Sequence, residues 1–318
     1  MIEKILVYLT HPHVEAWNFK PRHKDILARR FPQMEVIICL NSRDFLDRLT
    51  EADGVLVWYF KKEWMEKSRR LKLIATPAAG ADWIDVEPTG DLKIWFGVFH
   101  GTMMAESVLG AVCYFLKAFG LSRDMQKKRK WARVKISQRF RSLYRARVTI
   151  LGFGKIGCTI GGFLKPFGCT ITGVKRTAIP APDYFNGEDR IVLSAKLPEV
   201  LPETDHLILV LPGGSETQGL LTQEHFRMLP PTCYFYNVGR GNVYKETDLI
   251  EALRNGNIAG AYLDVFETEP LAEDSSLWEM ENVLIQPHLS AASPQYLELF
   301  VRELIERFEK ENSIAQGL

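Results

Sequence analysis

Short apolar segments alternate with amphipathic ones along the first third of the chain. Apolar runs rich in β-branched side chains predict strands at residues 4–9, 35–40, 54–59, 73–76 and 94–98. Between them, apolar residues recur at helical spacing, which predicts helices at residues 23–31 and around 43–49. Strands that alternate with helices indicate an α/β domain built on a parallel sheet.

The alternation continues after residues 103–119, a mostly apolar stretch that predicts one long helix. Further strands are predicted at residues 148–151, 169–174, 206–211, 233–237, 260–264 and 283–286. Further helices are predicted at residues 158–167, 223–228, 246–255, where Gly256 would cap the helix, and 294–311.

The order of these elements predicts two Rossmann-like or flavodoxin-like domains with parallel sheets and a cleft between them. Only one helix remains after residue 288, which is too little for a third domain, so we expect it to pack on the N-terminal part. The predicted substrate-binding domain is therefore discontinuous, with residues 1–99 and 289–318, and the predicted dinucleotide-binding domain spans residues 100–288.

Gly152, Gly154 and Gly157 form a G-x-G-x-x-G pattern where a predicted strand meets a predicted helix. Gly152 would allow the tight turn, Gly154 would let a pyrophosphate approach the backbone, and Gly157 would let helix and strand pack closely. The helix would offer its first N–H groups to phosphate. Such glycines also occur in ordinary turns, but the strand–turn–helix context favours dinucleotide binding.

The end of the next strand indicates which dinucleotide is bound. An NAD site places a carboxylate about 20 residues beyond the glycines, where it accepts from the ribose 2′-hydroxyl. This chain instead has Lys175, Arg176 and Thr177, with no acid before Asp183. Arg176 could hold a 2′-phosphate through two parallel hydrogen bonds, although the two cations could also be solvated loop charges. We expect NADP(H) as the preferred cofactor and NAD(H) as the alternative.

Composition and charge limit the classes of partner and site that the chain can have. The chain has 318 residues, 46% hydrophobic and 25% charged, and a formal net charge of +1, which argues against nucleic acid or an anionic membrane as a partner. Its five cysteines are scattered, and their spacing indicates neither a disulfide framework nor a metal site. With no signal peptide or membrane-length apolar stretch evident, we expect a cytoplasmic protein.

Reactive side chains follow three of the predicted strands. Asp264 ends one predicted strand, Arg240 and His288 lie three and two residues beyond the ends of two others, and Glu269 lies in the loop after Asp264. The carboxyl ends of parallel strands meet at one edge of a sheet, so we expect these groups at the same crevice. We expect most of the other six histidines to lie at the surface or in loops: His11, His13, His23, His100, His206 and His225.

The chain resembles the D-isomer-specific 2-hydroxyacid dehydrogenase family over nearly its whole length. The resemblance lies in seven segments that occur in the family's order: residues 71–85, 105–106, 148–157, 209–221, 237–241, 260–270 and 282–290. The lack of an acid at position 175 departs from NAD-using members and resembles NADPH-using glyoxylate or hydroxypyruvate reductases.

The resemblance implies Arg240, Glu269 and His288 as the catalytic triad and Ala79, Gly80, Ala81 and Arg240 as substrate-binding residues. It also implies the cofactor-binding residues Gly152, Phe153, Gly154, Lys155, Ile156, Gly157, Lys175, Arg176, Thr177, Leu211, Pro212, Thr217, Val238, Gly239, Arg240, Asp264 and His288. It implies no metal, and it makes a homodimer the expected assembly.

The triad suits ketone reduction. Arg240 would bind the carboxylate of a 2-oxo acid, His288 would protonate the ketone oxygen, and Glu269 would orient the ring. We therefore expect an NADPH-dependent reductase of a small 2-oxo acid. The alternative is a dinucleotide-gated binding protein of the C-terminal-binding corepressor type. A formate dehydrogenase is disfavoured, because a glutamine stands in that relative where Glu269 stands here.

Overall fold

The computed structural model of the chain describes residues 2–315. The chain divides into two units, Met1–His100 with Ala292–Leu318, and Gly101–Ala291. Each unit contains one parallel sheet, with five strands in the first and seven in the second. The α/β fold class with two parallel sheets is therefore confirmed.

The first unit has a sheet of order β2-β1-β3-β4-β5, which is the flavodoxin-like order. Its elements are β1 (Lys4–Tyr8), α1 (Pro21–Arg30), β2 (Glu35–Ile38), α2 (Ser42–Arg48), β3 (Gly54–Val57), β4 (Leu73–Thr76), β5 (Lys93–Phe96) and the last helix of the chain, α10 (Tyr296–Ala315). Helix α10 packs on α1, where the rings of Phe31 and Phe308 have centroids 5.7 Å apart. The terminal helix thus completes the unit that the first residues begin.

The second unit has a sheet of order β12-β11-β10-β9-β6-β7-β8. Its elements are α3 (Gly101–Leu116), α4 (Phe119–Lys127), α5 (Arg133–Ser137), β6 (Arg147–Leu151), α6 (Lys155–Leu164), β7 (Thr170–Lys175), β8 (Arg190–Leu193), α7 (Leu197–Val200), β9 (His206–Leu209), α8 (Gln223–Met228), β10 (Tyr234–Asn237), α9 (Glu246–Arg254), β11 (Gly260–Leu263) and β12 (Val283–Ile285).

The order of this sheet reverses at β6, whose neighbours are β7 on one side and β9 on the other. Connections leave β6 and β9 in opposite directions, which opens a crevice at their carboxyl ends. The strands are buried on both faces: Val148, Ile150 and Leu151 of β6 are each at most 1% exposed. Burial on both faces explains why these strands are continuous apolar runs in the sequence.

The prediction of a single helix over residues 103–119 is wrong. Helix α3 ends at Leu116, and α4 begins at Phe119 after a bend of 61°. Ala118 between them has φ +49°, in the left-handed region that cannot continue a right-handed helix. The apolar pattern runs across the break, so it did not reveal a change in the backbone of one residue.

Within residues 2–315 no single helix is long and apolar enough to cross a membrane, and only the bent pair of α3 and α4 passes that test by length and composition.

The expectation for the six other histidines holds in part. His11, His13 and His100 lie in loops, but His23, His100 and His206 are buried. The rings of two of them have hydroxyl partners that satisfy a buried polar atom: His206 contacts Tyr236 at 3.0 Å and His100 contacts Tyr296 at 2.9 Å. Burial lowers the pKa of His206 to about 4, so this histidine is neutral in the core. Sequence position alone did not reveal these partners.

Candidate active site

The reactive side chains follow three strands that are neighbours in the sheet. Strands β10, β11 and β12 pair side by side, and their last residues are Asn237, Leu263 and Ile285. Asp264 follows β11 directly, and Arg240 and His288 each lie three residues beyond their strands. All three residues therefore lie at the carboxyl edge of one sheet.

His288 and Glu269 form a hydrogen-bonded pair. The ring atom Nδ1 of His288 lies 2.7 Å from Oε2 of Glu269, and Oε1 of the same carboxylate accepts from the backbone N–H of Phe266 at 3.1 Å. The side chains of His288 and Glu269 are 42% and 37% exposed, so a small molecule can reach the ring. Because Nδ1 faces the carboxylate, Nε2 is the ring atom that would meet a substrate.

The Glu269 carboxyl is stabilised in its ionised form. Partial burial raises its pKa, but the hydrogen bond and charge of His288, the N–H of Phe266 and the charge of Arg240 together hold the pKa below its ordinary value. The ionised carboxylate lies 2.7 Å from Nδ1 and can hold the ring in one orientation, as a proton-donating histidine requires.

Asp264 shapes the loop that carries His288. The backbone of His288 has φ +54°, a region that is costly for a residue with a side chain. Its N–H donates to the Asp264 carbonyl at 2.8 Å, and the next two N–H groups, of Leu289 and Ser290, donate to Oδ1 of Asp264 at 2.7 and 3.0 Å. Desolvation raises the pKa of the fully buried Asp264 carboxyl, although these N–H groups and the charge of His288 oppose that shift.

The loop after β10 is shaped by a residue that sequence reasoning missed. Asn237 is fully buried, accepts from the N–H of Gly239 at 3.0 Å and donates to the Arg240 carbonyl at 3.1 Å. Gly239 has no room for a side chain, because a Cβ would lie 2.5 Å from the Leu211 carbonyl oxygen. The Arg240 guanidinium donates to the Gly239 carbonyl at 2.9 Å. A polar residue at the end of a buried strand was the signal that could have identified Asn237.

Glu267, the other carboxylate in the loop after β11, faces a different element. Its Oε2 accepts from the backbone N–H of Glu246 at 3.2 Å, at the first residue of α9. Of the two glutamates, Glu269 is therefore the one that contacts His288.

The glycine turn after β6 has the geometry that a dinucleotide requires. Gly152 has φ +100°, and a Cβ there would lie 2.6 Å from the Val210 carbonyl oxygen. A Cβ on Gly157 would lie 2.5 Å from the Gly152 oxygen, so helix and turn are in close contact. A Cβ on Gly154, in contrast, would meet no heavy atom within 4 Å, and α6 begins at the next residue, Lys155. The open face of Gly154 and the N-terminus of α6 fit a pyrophosphate.

The other predicted cofactor residues divide into buried and exposed groups. Phe153 is fully buried beneath Gly173 and belongs to the core. Lys175 ends β7, and Arg176 and Thr177 are exposed just beyond it. The Thr217 hydroxyl donates to the Pro212 carbonyl at 2.7 Å and closes the loop after β9. Of the remaining predicted contacts, Ile156 lies in α6, the backbone of Leu211 lies beside Gly152 and Gly239, and Val238 is buried directly after β10.

Arg176 forms an ion pair that no sequence pattern indicated. Its guanidinium contacts the carboxylate of Glu216, which lies in the loop after β9. Both side chains are largely exposed, at 73% and 70%. Glu216 is therefore a candidate functional residue that only the structure identifies.

The predicted substrate residues of the first unit follow β4. Ala79 and Ala81 are exposed, and Gly80 is half-buried. Trp58, Met103 and Met104 are buried, whereas Tyr59 and Trp83 are exposed. Among residues 2–315, no three His, Cys, Asp or Glu side chains are grouped to hold a metal ion.

Comparison with known proteins identifies a family. Residues 109–290 match the family described as "D-isomer specific 2-hydroxyacid dehydrogenase, NAD binding domain". The chain is 32% identical over 276 residues to glyoxylate/hydroxypyruvate reductase A of Klebsiella pneumoniae (strain 342), covering 81% of this chain and 83% of that protein. It is 29% identical over 275 residues to a glyoxylate reductase of Thermococcus onnurineus, covering 82% and 81%.

Solved structures resemble the whole chain. A D-isomer specific 2-hydroxyacid dehydrogenase of Xanthobacter autotrophicus Py2, in complex with NADPH and MES, superposes with a TM-score of 0.80 at 29% identity, covering 98% of this chain and 96% of that one. An NADPH-dependent glyoxylate/hydroxypyruvate reductase of Sinorhizobium meliloti, in complex with NADP and sulfate, gives 0.78 at 26% identity, covering 97% and 96%.

Proposed function

The chain belongs to the D-isomer specific 2-hydroxyacid dehydrogenase family, and on that premise we propose that it reduces a small 2-oxo acid to the D-2-hydroxy acid with NADPH. One observation carries the proposal: the 2.7 Å pair of His288 and Glu269 at the sheet edge where Arg240 also lies. A protonated imidazole and a guanidinium at one edge provide a proton donor and an anion-binding group for a 2-oxo acid.

Each of the three side chains has a distinct role in the proposed reaction. Bound NADPH supplies the hydride that adds to the ketone carbon. Arg240 binds the substrate carboxylate and stabilises the negative charge that grows on the ketone oxygen. His288 donates the proton of Nε2 to that oxygen, and Glu269 holds the ring in the orientation that this transfer requires. The hydride and the proton together complete the reduction of the carbonyl group.

The cofactor site supports NADPH through this chain's own residues. The open face of Gly154 and the N-terminus of α6 would hold the pyrophosphate, and Arg176 would hold the 2′-phosphate. Position 175 is a lysine, so no carboxylate there would repel the negative charge of a 2′-phosphate. The solved relatives that contain NADP or NADPH support the same assignment.

The substrate proposal rests on relatives. Proteins named glyoxylate reductase and glyoxylate/hydroxypyruvate reductase match most of the chain, so we favour glyoxylate and hydroxypyruvate among 2-oxo acids. The predicted contacts of Ala79, Gly80 and Ala81 with the substrate stay a prediction. A corepressor-type binding protein is not favoured, because the matching proteins are named as dehydrogenases and reductases.

We extend the proposal to the assembly and the compartment. Five apolar side chains of the second unit are exposed and lie close together in the sequence, and we call them the aromatic surface: Phe119, Trp131, Val134, Phe140 and Tyr144. Apolar and aromatic side chains are enriched where protein copies associate, which supports a homodimer whose contact includes these side chains. The five cysteines are free thiols, which supports a reducing, cytoplasmic compartment.

The experiment is turnover of a 2-oxo acid panel with NADPH and with NADH. We expect glyoxylate and hydroxypyruvate to be reduced, with kcat/KM for NADPH about tenfold or more above that for NADH, which is the worth of one charged hydrogen bond. Arg176→Ala should remove most of this preference and leave the NADH kinetics nearly unchanged. No turnover of any 2-oxo acid would contradict the activity, and equal use of NADH by the unaltered protein would contradict the cofactor preference.

A further inference from the structure

The ion pair of Arg176 and Glu216 lies across the nucleotide-binding edge of the second sheet. Arg176 follows β7, and Glu216 lies in the loop after β9. Strand β6 lies between β7 and β9, and the glycine turn begins at its end. The pair therefore connects the two loops on either side of the turn that begins at Gly152 and would hold the dinucleotide.

The loop that carries Glu216 is held by its own hydrogen bonds. The N–H groups of Thr217 and Gln218 donate to the Gly214 carbonyl at 3.1 and 2.9 Å. The Thr217 hydroxyl donates to the Pro212 carbonyl at 2.7 Å. Glu216 is thus presented from a closed turn, with its side chain directed to Arg176 and 70% exposed to solvent.

We propose that Glu216 sets the cofactor preference by competing with the 2′-phosphate of NADPH for the guanidinium of Arg176. The inference rests on the proposed function, in which Arg176 binds that phosphate. A guanidinium donates from one planar fork, and a carboxylate that occupies part of it reduces what a phosphate can gain. The Glu216 carboxylate and the 2′-phosphate would also repel each other, because both would lie beside the same cation.

The same carboxylate acts differently on NADH. The ribose of NADH carries a 2′-hydroxyl, which can donate to a carboxylate as it does in NAD-specific sites. Glu216 therefore weakens NADPH binding and leaves NADH binding unchanged or slightly stronger. Arg176 and Glu216 together keep both cofactors usable, with Arg176 favouring the phosphate and Glu216 limiting that advantage.

The test measures binding of two fragments by calorimetry: adenosine 2′,5′-bisphosphate, which carries the 2′-phosphate, and 5′-AMP, which lacks it. Glu216→Gln should tighten binding of the bisphosphate about two- to fivefold, the range expected for an exposed ion pair, and should change 5′-AMP binding less than twofold. The gain should shrink at high salt, because these charges are exposed to solvent.

Two matched variants complete the design. Glu199→Gln removes the same charge from an exposed position on α7 and should leave both affinities unchanged. In an Arg176→Ala background, Glu216→Gln should give no more than the small gain expected from lost repulsion, because the contested cation is gone.

The outcomes separate this inference from the proposed function. An unaltered protein that binds the bisphosphate no better than 5′-AMP contradicts the role of Arg176 and, with it, the NADPH proposal. A second outcome is preferential bisphosphate binding that Glu216→Gln does not improve, or that Glu199→Gln improves equally. That outcome overturns only the inference about Glu216 and leaves the NADPH proposal in place.

Discussion

At the scale of single residues, the orientation of His288 depends on Asp264 and Glu269. The buried carboxylate of Asp264 accepts from the N–H groups that follow His288, and the Asp264 carbonyl accepts from His288 itself. These bonds hold a left-handed backbone that a histidine would otherwise avoid. Glu269 then determines which ring nitrogen faces the protein, at 2.7 Å from Nδ1.

The pair predicts a shift in the pH dependence of reduction. Glu269→Gln removes an anion whose pKa lies below its ordinary value, so the carboxylate is charged over the whole neutral range. Without that negative charge beside the proton donor, the falling limb of kcat/KM for reduction should move to lower pH, with activity partly recovered in acid. His288→Gln should lose about 10²-fold or more at every pH.

The control is Glu267→Gln, because that carboxylate accepts from the N–H of Glu246 instead. Its pH–rate profile should match that of the unaltered protein. An acid-ward shift in the Glu267 variant alone would show that the pair is assigned to the wrong glutamate.

At the scale of elements, the glycine turn after β6 contains glycines with two different roles, one in the fold and one in cofactor binding. Gly152 is required by the fold, since it has φ +100° and its Cβ position lies 2.6 Å from a carbonyl oxygen. Gly154 is not required by the fold, since its Cβ position is open to at least 4 Å. The open position is where the backbone would meet a phosphate at the N-terminus of α6.

This difference predicts opposite effects for two alanine substitutions. Gly154→Ala should leave the melting temperature unchanged and weaken NADPH binding on the order of tenfold, because an extra methyl group in a close contact costs about 1–3 kcal/mol. Gly152→Ala should lower the free energy of unfolding by about 1–3 kcal/mol, because an alanine is strained at φ +100° whereas a glycine is not.

Thermal unfolding and fluorescence titration with NADPH measure the two effects. Full NADPH affinity in Gly154→Ala would mean that the backbone at this turn does not approach the pyrophosphate.

At the scale of the whole molecule, the aromatic surface is the proposed contact of the homodimer. Trp131 is 88% and Val134 is 70% exposed, and apolar side chains of this kind are enriched at the core of protein interfaces. A groove of about 990 Å³ in the same unit is lined by residues of α3, α4 and the segment around Arg139 and Arg141. An isologous contact would bury the same surface on both copies.

If the protein is a homodimer, sedimentation at micromolar concentration should give a mass of about twice 36.3 kDa. Trp131→Glu should shift the protein towards the monomer, because it places a charge in the contact. Leu40→Glu, at an exposed apolar residue of the first unit, should leave the mass unchanged. A monomeric unaltered protein, or equal dissociation of both variants, would count against this surface.

The local pattern of residues determined much of this protein. Alternating apolar and amphipathic segments were sufficient for the α/β class, because buried parallel strands and amphipathic helices repeat within 5–15 residues. The glycine spacing and the polar residues after strands placed Arg240, Glu269 and His288 at one sheet edge, where the structure has them. The break at Ala118 escaped this pattern, because one residue with positive φ changes the chain direction without changing hydrophobicity.

Only the tertiary structure decided which groups are partners. Glu269 and His288 are 19 residues apart in the chain, and Arg176 and Glu216 are 40 apart. Both contacts depend on the lateral order of strands, which no local pattern encodes. The same holds for His206, whose burial depends on a hydroxyl from a neighbouring strand. Residue type and spacing thus determined the chemistry that is available, and packing determined which atoms meet, because a contact energy depends on distance in space and not along the chain.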